Sequence, residues 1–236
     1  MRPQFDLRAR AGLAGAGALL TMTPLVVAPA TARSQDPAPP AAQAASGPVA
    51  TKSSAALSVR SVRRHVTTGR AVLVTGILRP ARAGKAVALQ VRGRRGWTTV
   101  DKDRTNRVGA YRLTWDAGRP ATRLVRVHFG GTRDLRSDRR RVGRVNVYRR
   151  AVASWYGPGL YGNKLGCGGR LSPGTVGVAH KSLPCGTRLT LRYRGRTVRT
   201  KVIDRGPYVG GREFDLTAAT KQRLGFGSTG TVLSTR

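Results

Sequence analysis

The spacing of hydrophobic and polar residues predicts β-structure over most of the chain from about residue 55 onwards. Short β-prone runs are separated by Gly, Pro, Asp and Arg, and residues 125–129 alternate with period two, as a half-buried strand should. The predicted strands are residues 71–78, 86–91, 109–115, 124–129, 142–147, 151–156, 176–179, 187–193, 197–204 and 230–233. Only residues 217–224, which are followed by Gly225, have helical spacing.

The N-terminal part of the chain has the composition of an export signal followed by a linker. Three arginines within the first ten residues precede a short apolar segment, residues 11–28, which contains Pro24 and is followed by small residues. The segment is too short and too interrupted for a membrane span, so residues 1–32 are predicted to be a secretory signal peptide. Residues 33–55 are rich in Pro and Ala without periodicity, which predicts a disordered linker. We expect a secreted protein, at the cell wall or outside the cell, and no cysteine near the cleavage site offers a membrane anchor.

The predicted fold class is all-β, with two β domains. Several short strands between residues 56 and 148 favour a β-sandwich, and residues 129–147 resemble the end of a bacterial immunoglobulin-like repeat. Residues 149–236 form the second predicted domain, which begins at an Arg149–Arg150 junction. The first domain shows no catalytic constellation, so its predicted role is spacing or wall binding.

The charge of the chain indicates a polyanionic partner. A net charge of +34, from 44 basic and 10 acidic residues, creates a long-range field that attracts polyanions. Nucleic acid and anionic cell-wall polymers both suit this field, but aromatic residues make up only 6% of the chain, and RNA-binding surfaces interleave them with basic residues. A GC-rich codon bias accounts for the choice of Arg over Lys but not for the shortage of acids. Anionic wall polymers are therefore kept as candidate partners, and nucleic acid is not expected.

All the carboxylates of the second domain lie in one short stretch, residues 202–216. Asp204 follows an apolar pair and precedes Gly206–Pro207, which places it where a strand ends in a turn. Asp215 lies in a second short apolar run, so two strand-borne carboxylates can converge on one cleft. The alternative is structural: Asp204 caps the turn and pairs with Arg205.

The cysteine content predicts one disulfide. Cys167 and Cys185 are the only cysteines, and an isolated pair in an exported chain is typical of a disulfide that contributes roughly 3 kcal/mol in the chain-entropy model. A metal site is not expected, because His180 is the only other soft ligand nearby. No cofactor is expected, and the predicted state is a monomer.

Four ordered blocks of the second domain carry a family resemblance. They read ASWYG (153–157), AHKSLPCGT (179–187), DRGPY (204–208) and FDLT (214–217). This set resembles the catalytic domain of the rare lipoprotein A family, a six-stranded double-psi β-barrel, and is more distantly similar to the barrel of expansins. The resemblance covers roughly residues 150–236 and implies a protein that acts on peptidoglycan glycan strands as a lytic transglycosylase.

The resemblance assigns roles to individual residues. A lytic transglycosylase needs one carboxyl that serves first as acid and then as base, and Asp204 suits this role, with Asp215 as a supporting carboxylate. His180 falls on a histidine of the family's site, although a lone histidine beside a strand is often structural. The predicted substrate-binding residues are aromatic, hydroxylic or basic: Ser154, Tyr156, Tyr161, Arg205, Tyr208 and Arg212.

One position departs from the family pattern. Enzymatic members commonly have a Glu in the loop before the AHK block, whereas Gly169 stands near that position here and no carboxylate is close. The departure favours the alternative function, a non-catalytic, expansin-like module that binds glycan and loosens the wall without cutting it.

Overall fold

The computed structural model describes residues 51–236. The predicted signal peptide and residues 33–50 of the predicted linker lie outside these described residues. Within residues 51–236, no helix combines the length and the hydropathy that a membrane crossing requires. The elements that follow are all strands except for one short helix.

The first part of the described chain forms two β-sheets. Its strands are β1 (Ala56–Val62), β2 (His65–Thr67), β3 (Val72–Arg79), β4 (Ala86–Gly93), β5 (Gly96–Arg104), β6 (Ala110–Trp115), β7 (Ala121–Phe129) and β8 (Asp138–Tyr156). One antiparallel sheet has the order β1-β3-β6, and the other has the order β5-β4-β7-β8, with β2 added parallel to β8. The predicted strands of this part are present, and β1, β2 and β5 were not predicted.

A single hydrophobic core lies between these two sheets. It contains Val74 and Leu113 from the first sheet and Val87, Leu89 and Val127 from the second, all fully buried. Along β7 the burial alternates as its sequence predicted, because every second side chain of a strand points to the same face.

The strand β8 is shared by both parts of the molecule. Residues 142–147 and 151–156 were predicted as separate strands, and this was wrong: β8 runs unbroken for 19 residues. The two arginines between them stay in the ladder, because Arg149 pairs with Ser234 and Arg150 with Leu233. The predicted domain boundary at residues 148 and 149 therefore lies inside a strand, and no flexible linker separates the two cores.

The second part is a closed six-stranded barrel. The C-terminal half of β8 is joined by β9 (Val178–Ala179), β10 (Arg188–Tyr193), β11 (Arg196–Asp204), β12 (Phe214–Thr217) and β13 (Gly230–Ser234). The order β12-β9-β11-β10-β13-β8 closes because β12 also pairs with β8, which confirms the predicted barrel.

The helix α1 (Ala218–Leu224) follows β12 directly. Thr217 is its N-cap and accepts a hydrogen bond from the Thr220 N–H, while Gly225 ends it with a φ of 64°, a left-handed conformation that glycine adopts at little cost. Leu224 is fully buried in the barrel core with Phe214 and Leu216. The predicted helix is thus confirmed.

Candidate functional site

The register of three short strands brings two carboxylates to the same face of the barrel. Ala179 of β9 pairs with Asp204 of β11 on one side and with Asp215 of β12 on the other. Directly paired residues project from the same face of a sheet, and two strand spacings separate the Cα atoms of the two aspartates by about 10 Å. The predicted convergence of Asp204 and Asp215 is present.

Asp204 is held by the backbone on one oxygen. Its Oδ1 accepts hydrogen bonds from the Gly166 N–H at 2.7 Å and from the Arg205 N–H at 2.8 Å. A Cβ at residue 166 would lie 2.9 Å from the Arg205 Cγ and 3.1 Å from Oδ1, so the loop approaches this closely only with glycine there. These two backbone N–H groups fix the orientation of the Asp204 carboxylate.

Tyr156 lies beside both carboxylates at the end of β8. Its hydroxyl is buried and has no hydrogen bond of acceptable geometry within residues 51–236. Burial raises the pKa of the Tyr156 phenol above its usual value, and the charges of Asp204 and Asp215 raise that pKa further. The phenol therefore stays protonated and keeps an O–H donor near both aspartates.

Asp215 is bound to Ser154, and Ser154 is bound to Arg212; both partners are predicted substrate-binding residues. The Ser154 hydroxyl donates to Asp215 Oδ1, because the two residues are paired across β8 and β12. Arg212 donates from Nη1 to the Ser154 Oγ at 3.3 Å. These three side chains form a continuous polar group next to Asp204.

His180 does not face Asp204 with its ring. Its Nδ1 accepts hydrogen bonds from the Ser182 and Leu183 N–H groups at 3.1 and 3.0 Å, which leaves the proton on Nε2. Nε2 lies 3.7 Å from Glu213 Oε1. Burial, with smaller contributions from Arg149 and Arg205, lowers the pKa of His180 in spite of Glu213, so the ring is neutral at pH 7. Its link to Asp204 is through the backbone, where the His180 N–H donates to the Asp204 carbonyl at 3.1 Å.

Glu213 belongs to this cluster although it was not among the predicted site residues. Arg149 binds both of its carboxylate oxygens in a fork, and hydrogen bonding to Glu213 raises the pKa of Arg149. The signal in the sequence was the concentration of acids in residues 202–216, which includes Glu213. Its partner is 64 residues away along the chain, so only the fold identifies the pair.

A disulfide and an arginine hold the loop that carries His180. Cys167 and Cys185 are bonded, as predicted, and link the loop after β8 to the loop before β10. The Arg205 Nη1 donates to the His180 and Leu183 carbonyls at 3.0 and 2.8 Å. These contacts favour a structural position for the Arg205 guanidinium over the predicted contact with substrate.

Exposed aromatic and apolar side chains come from the loops next to the aspartates. Tyr208 is 81% exposed in the loop that follows Asp204, while Tyr161 is 39% exposed in the loop after β8. Gly169, near the position of the family's glutamate, has a φ of 81° and open space around it, a backbone conformation that resists side chains. Within residues 51–236, no group of three or more His, Cys, Asp or Glu side chains could hold a metal ion.

The C-terminal part of the chain matches known proteins. Residues 149–233 match the family model described as "Lytic transglycolase". The chain is 38% identical over 100 residues to a probable endolytic peptidoglycan transglycosylase RlpA from a Synechocystis species, covering 38% of this chain and 31% of that protein. It is 42% identical over 93 residues to the protein of the same name from Aquifex aeolicus, covering 39% and 41%.

The curated relatives are matched only in part, since the chain spans less than half the length of either. Among solved structures, the Streptomyces papain inhibitor aligns with 38% of this chain and 94% of its own, at 22% identity and a TM-score of 0.30.

Proposed function

We propose that residues 149–233, a domain of the RlpA-like double-psi β-barrel family, cleave peptidoglycan glycan strands in the manner of a lytic transglycosylase. The observation that carries the proposal is the position of Asp204 and Asp215 on either side of Ala179, with the protonated Tyr156 phenol close to both. We propose that the rest of the chain serves this reaction.

In the proposed reaction Asp204 acts twice. Its protonated Oδ2 gives a proton to the glycosidic oxygen as the bond from that oxygen to the anomeric carbon breaks. The 6-hydroxyl of the same sugar then attacks the anomeric carbon, and its proton returns to Asp204. An anhydro ring forms, no water is consumed, and Asp204 ends in the state in which it began.

The neighbouring residues stabilise and position the sugar. Asp215, held by the Ser154 hydroxyl, is close enough to offset the positive charge that develops at the anomeric carbon. The exposed rings of Tyr161 and Tyr208 offer faces for sugar stacking, and Arg212 offers a guanidinium for a muramyl carboxylate. His180 helps to position Asp204: its backbone N–H donates to the Asp204 carbonyl, and its neutral ring anchors the loop that follows β9.

A second function is favoured by one observation. The loop of residues 157–177 contains no carboxylate, and Gly169 has a positive φ near the place where enzymatic relatives of the family commonly have Glu. A barrel without that acid fits an expansin-like role, in which the groove binds glycan and loosens the wall without cutting it.

The proposal extends to the whole chain. We propose that the mature protein lies at the cell wall or outside the cell. A signal peptide of residues 1–32 is removed, and the mature chain begins with a linker of residues 33–55. Residues 56–148, an immunoglobulin-like sandwich in this proposal, space the barrel from the surface or bind wall polymers. The protein acts as a monomer.

The test is product analysis on peptide-stripped glycan strands. Wild-type protein should yield anhydro-muramyl ends by mass spectrometry, and the Asp204→Asn variant should yield none while it still sediments with sacculi. Binding without products from the wild type would establish the expansin-like function instead. Products from Asp204→Asn at the wild-type rate would rule out the mechanism.

A further inference from the structure

A second concave site lies where the sandwich meets the barrel. A cavity of about 670 Å³ is bounded by β7 and β8 on one side and by β10, β11, the end of α1 and the two residues after β13 on the other. Half of its twelve lining residues are basic, against 44 of 236 in the whole chain, and none is acidic or aromatic. The basic residues are Arg144, Arg188, Arg199, Lys201, Arg223 and Arg236.

Strand pairing sets the arrangement of these cations. Arg188 of β10 is directly paired with Lys201 of β11, and Thr190 is paired with Arg199, so the four side chains share one face of the ladder. The Thr122 hydroxyl of β7 lies 3.4 Å from the Thr190 hydroxyl, which joins the sandwich to the barrel at the cavity wall. Because β8 is continuous through both parts, the two walls hold a fixed spacing.

The charge of the cavity is not neutralised by the protein. Within residues 51–236, none of the six basic residues takes part in an ion pair. Like charges gathered in one concavity repel one another, so their arrangement costs stability unless an anion fills the space. The cavity is therefore built for a ligand that brings several negative charges.

We propose that this cavity binds a phosphodiester-linked polyol chain. Guanidinium groups bind phosphate oxygens through paired N–H donors, and five of the six cations are arginines. Binding of single-stranded nucleic acid relies on aromatic side chains on which bases stack, and the cavity wall has none. A polymer with phosphates but no bases fits both features.

This site does not depend on the proposed cleavage reaction. None of the cavity's lining residues is Asp204, Asp215, His180 or a predicted substrate-binding residue. The two sites lie on one compact unit, so a wall polymer held in the cavity would keep the barrel near its glycan. Loss of one activity can therefore be measured without loss of the other.

The experiment measures the affinity of the full mature chain for fluorescent poly(glycerol phosphate) by anisotropy. Arg199→Gln combined with Lys201→Gln should weaken binding at least about tenfold, because two charge-assisted contacts are lost. The matched control is Arg94→Gln combined with Arg95→Gln, an exposed pair between β4 and β5 that does not line the cavity and removes the same charge. The control should change affinity by less than about twofold. A second cavity pair, Arg188→Gln with Arg223→Gln, repeats the test if the first variant does not fold.

Competition distinguishes the ligand class. Unlabelled poly(glycerol phosphate) should displace the probe at lower concentration than poly-glutamate, inorganic phosphate or an oligothymidylate of equal charge. Equal weakening by the cavity and control pairs would show that a diffuse field binds the polymer and would overturn the proposal. Tighter binding of the oligothymidylate would assign the cavity to nucleic acid and overturn it as well.

Discussion

The two halves of the described chain use their carboxylates in different ways. In the sandwich, aspartates of the larger sheet accept hydrogen bonds from the two edge strands of the three-stranded sheet: Asp101 and Asp103 of β5 accept the Thr114 and Arg112 N–H groups of β6, and Asp138 of β8 accepts the Leu57 N–H of β1. In the barrel, the three acids lie around β9, β11 and β12 and none serves an open edge.

The difference follows from the topology of the two folds. The edge strands β1 and β6 leave N–H groups unpaired, and three of the five aspartates between residues 56 and 148 accept from them. A barrel that closes on itself, here through the pairing of β12 with β8, has no such edges. Its acids are therefore available for a site. In this protein, a carboxylate that binds the N–H groups of an edge strand is structural, and a carboxylate that binds none is a candidate site residue.

The largest effect should separate the two kinds of aspartate. Asp204→Asn should reduce formation of anhydro-muramyl ends by about 10²- to 10⁴-fold, as expected for loss of a general acid, with little change in melting temperature. Asp103→Asn should lower the melting temperature and leave product formation unchanged. The amide oxygen can accept only one of the two N–H groups that Asp103 now accepts. Product assays and thermal melts on both variants test the pair. Equal loss of activity in the two variants would contradict the division into catalytic and edge-binding aspartates.

The next effect concerns the disulfide, which only the barrel has. Cys167→Ser combined with Cys185→Ser should lower the free energy of unfolding by about 3 kcal/mol, measured by urea denaturation. The loop of residues 157–177 has little regular structure; besides the disulfide, a small apolar cluster of Leu165 and Leu171 against Ile203 and a few hydrogen bonds hold it to the barrel. Reduced wild-type protein should match the double variant. An unchanged midpoint would show that the loop does not need the bond.

Much of the fold could be predicted from local pattern. Alternating hydrophobic and polar residues identified β7, helical spacing closed by Gly225 identified α1, and two cysteines in an exported chain identified the disulfide. Each of these features depends on residues close in sequence or on a pair with no competing partner. The strand β5 escaped prediction because it is a charged edge strand with neither face fully buried.

The candidate site could be predicted only in part. Asp204 and Asp215 stood out as acids at the ends of apolar runs, but their common face depends on the register of both with Ala179, which is a long-range property. The orientation of His180 was hidden for the same reason: its ring is set by the Ser182 and Leu183 N–H groups and by Glu213. Glu213 in turn is held by Arg149, a residue whose place in β8 no local pattern revealed.

A smaller effect should separate two ion pairs, one in each half. Arg149 and Glu213 are 36% and 28% exposed at their side chains, and their fork also faces His180. Glu213→Gln should therefore cost about 1 kcal/mol of unfolding free energy. Arg82 and Asp134 are 52% and 47% exposed, so Asp134→Asn should leave the urea midpoint unchanged within error. If Asp134→Asn lost more unfolding free energy than Glu213→Gln, the more exposed ion pair would be the stronger one and the prediction would be wrong.

The smallest effect expected is on the pH dependence of stability, and it again contrasts the two halves. Burial lowers the pKa of His180 in the barrel, and burial with nearby arginines lowers the pKa of His128 in the sandwich. As the pH falls below 6.5, the usual pKa of histidine, the unfolded chain binds protons before the folded chain does, so stability present above pH 6.5 is lost towards pH 5. His180→Asn keeps an acceptor for the Ser182 and Leu183 N–H groups but cannot titrate. It should flatten the plot of melting temperature against pH more than His128→Asn does, because His180 is the more buried of the two. If His180→Asn leaves the plot as steep as wild type, the pKa of His180 does not fall on folding, and the lowered pKa inferred for the buried ring is wrong.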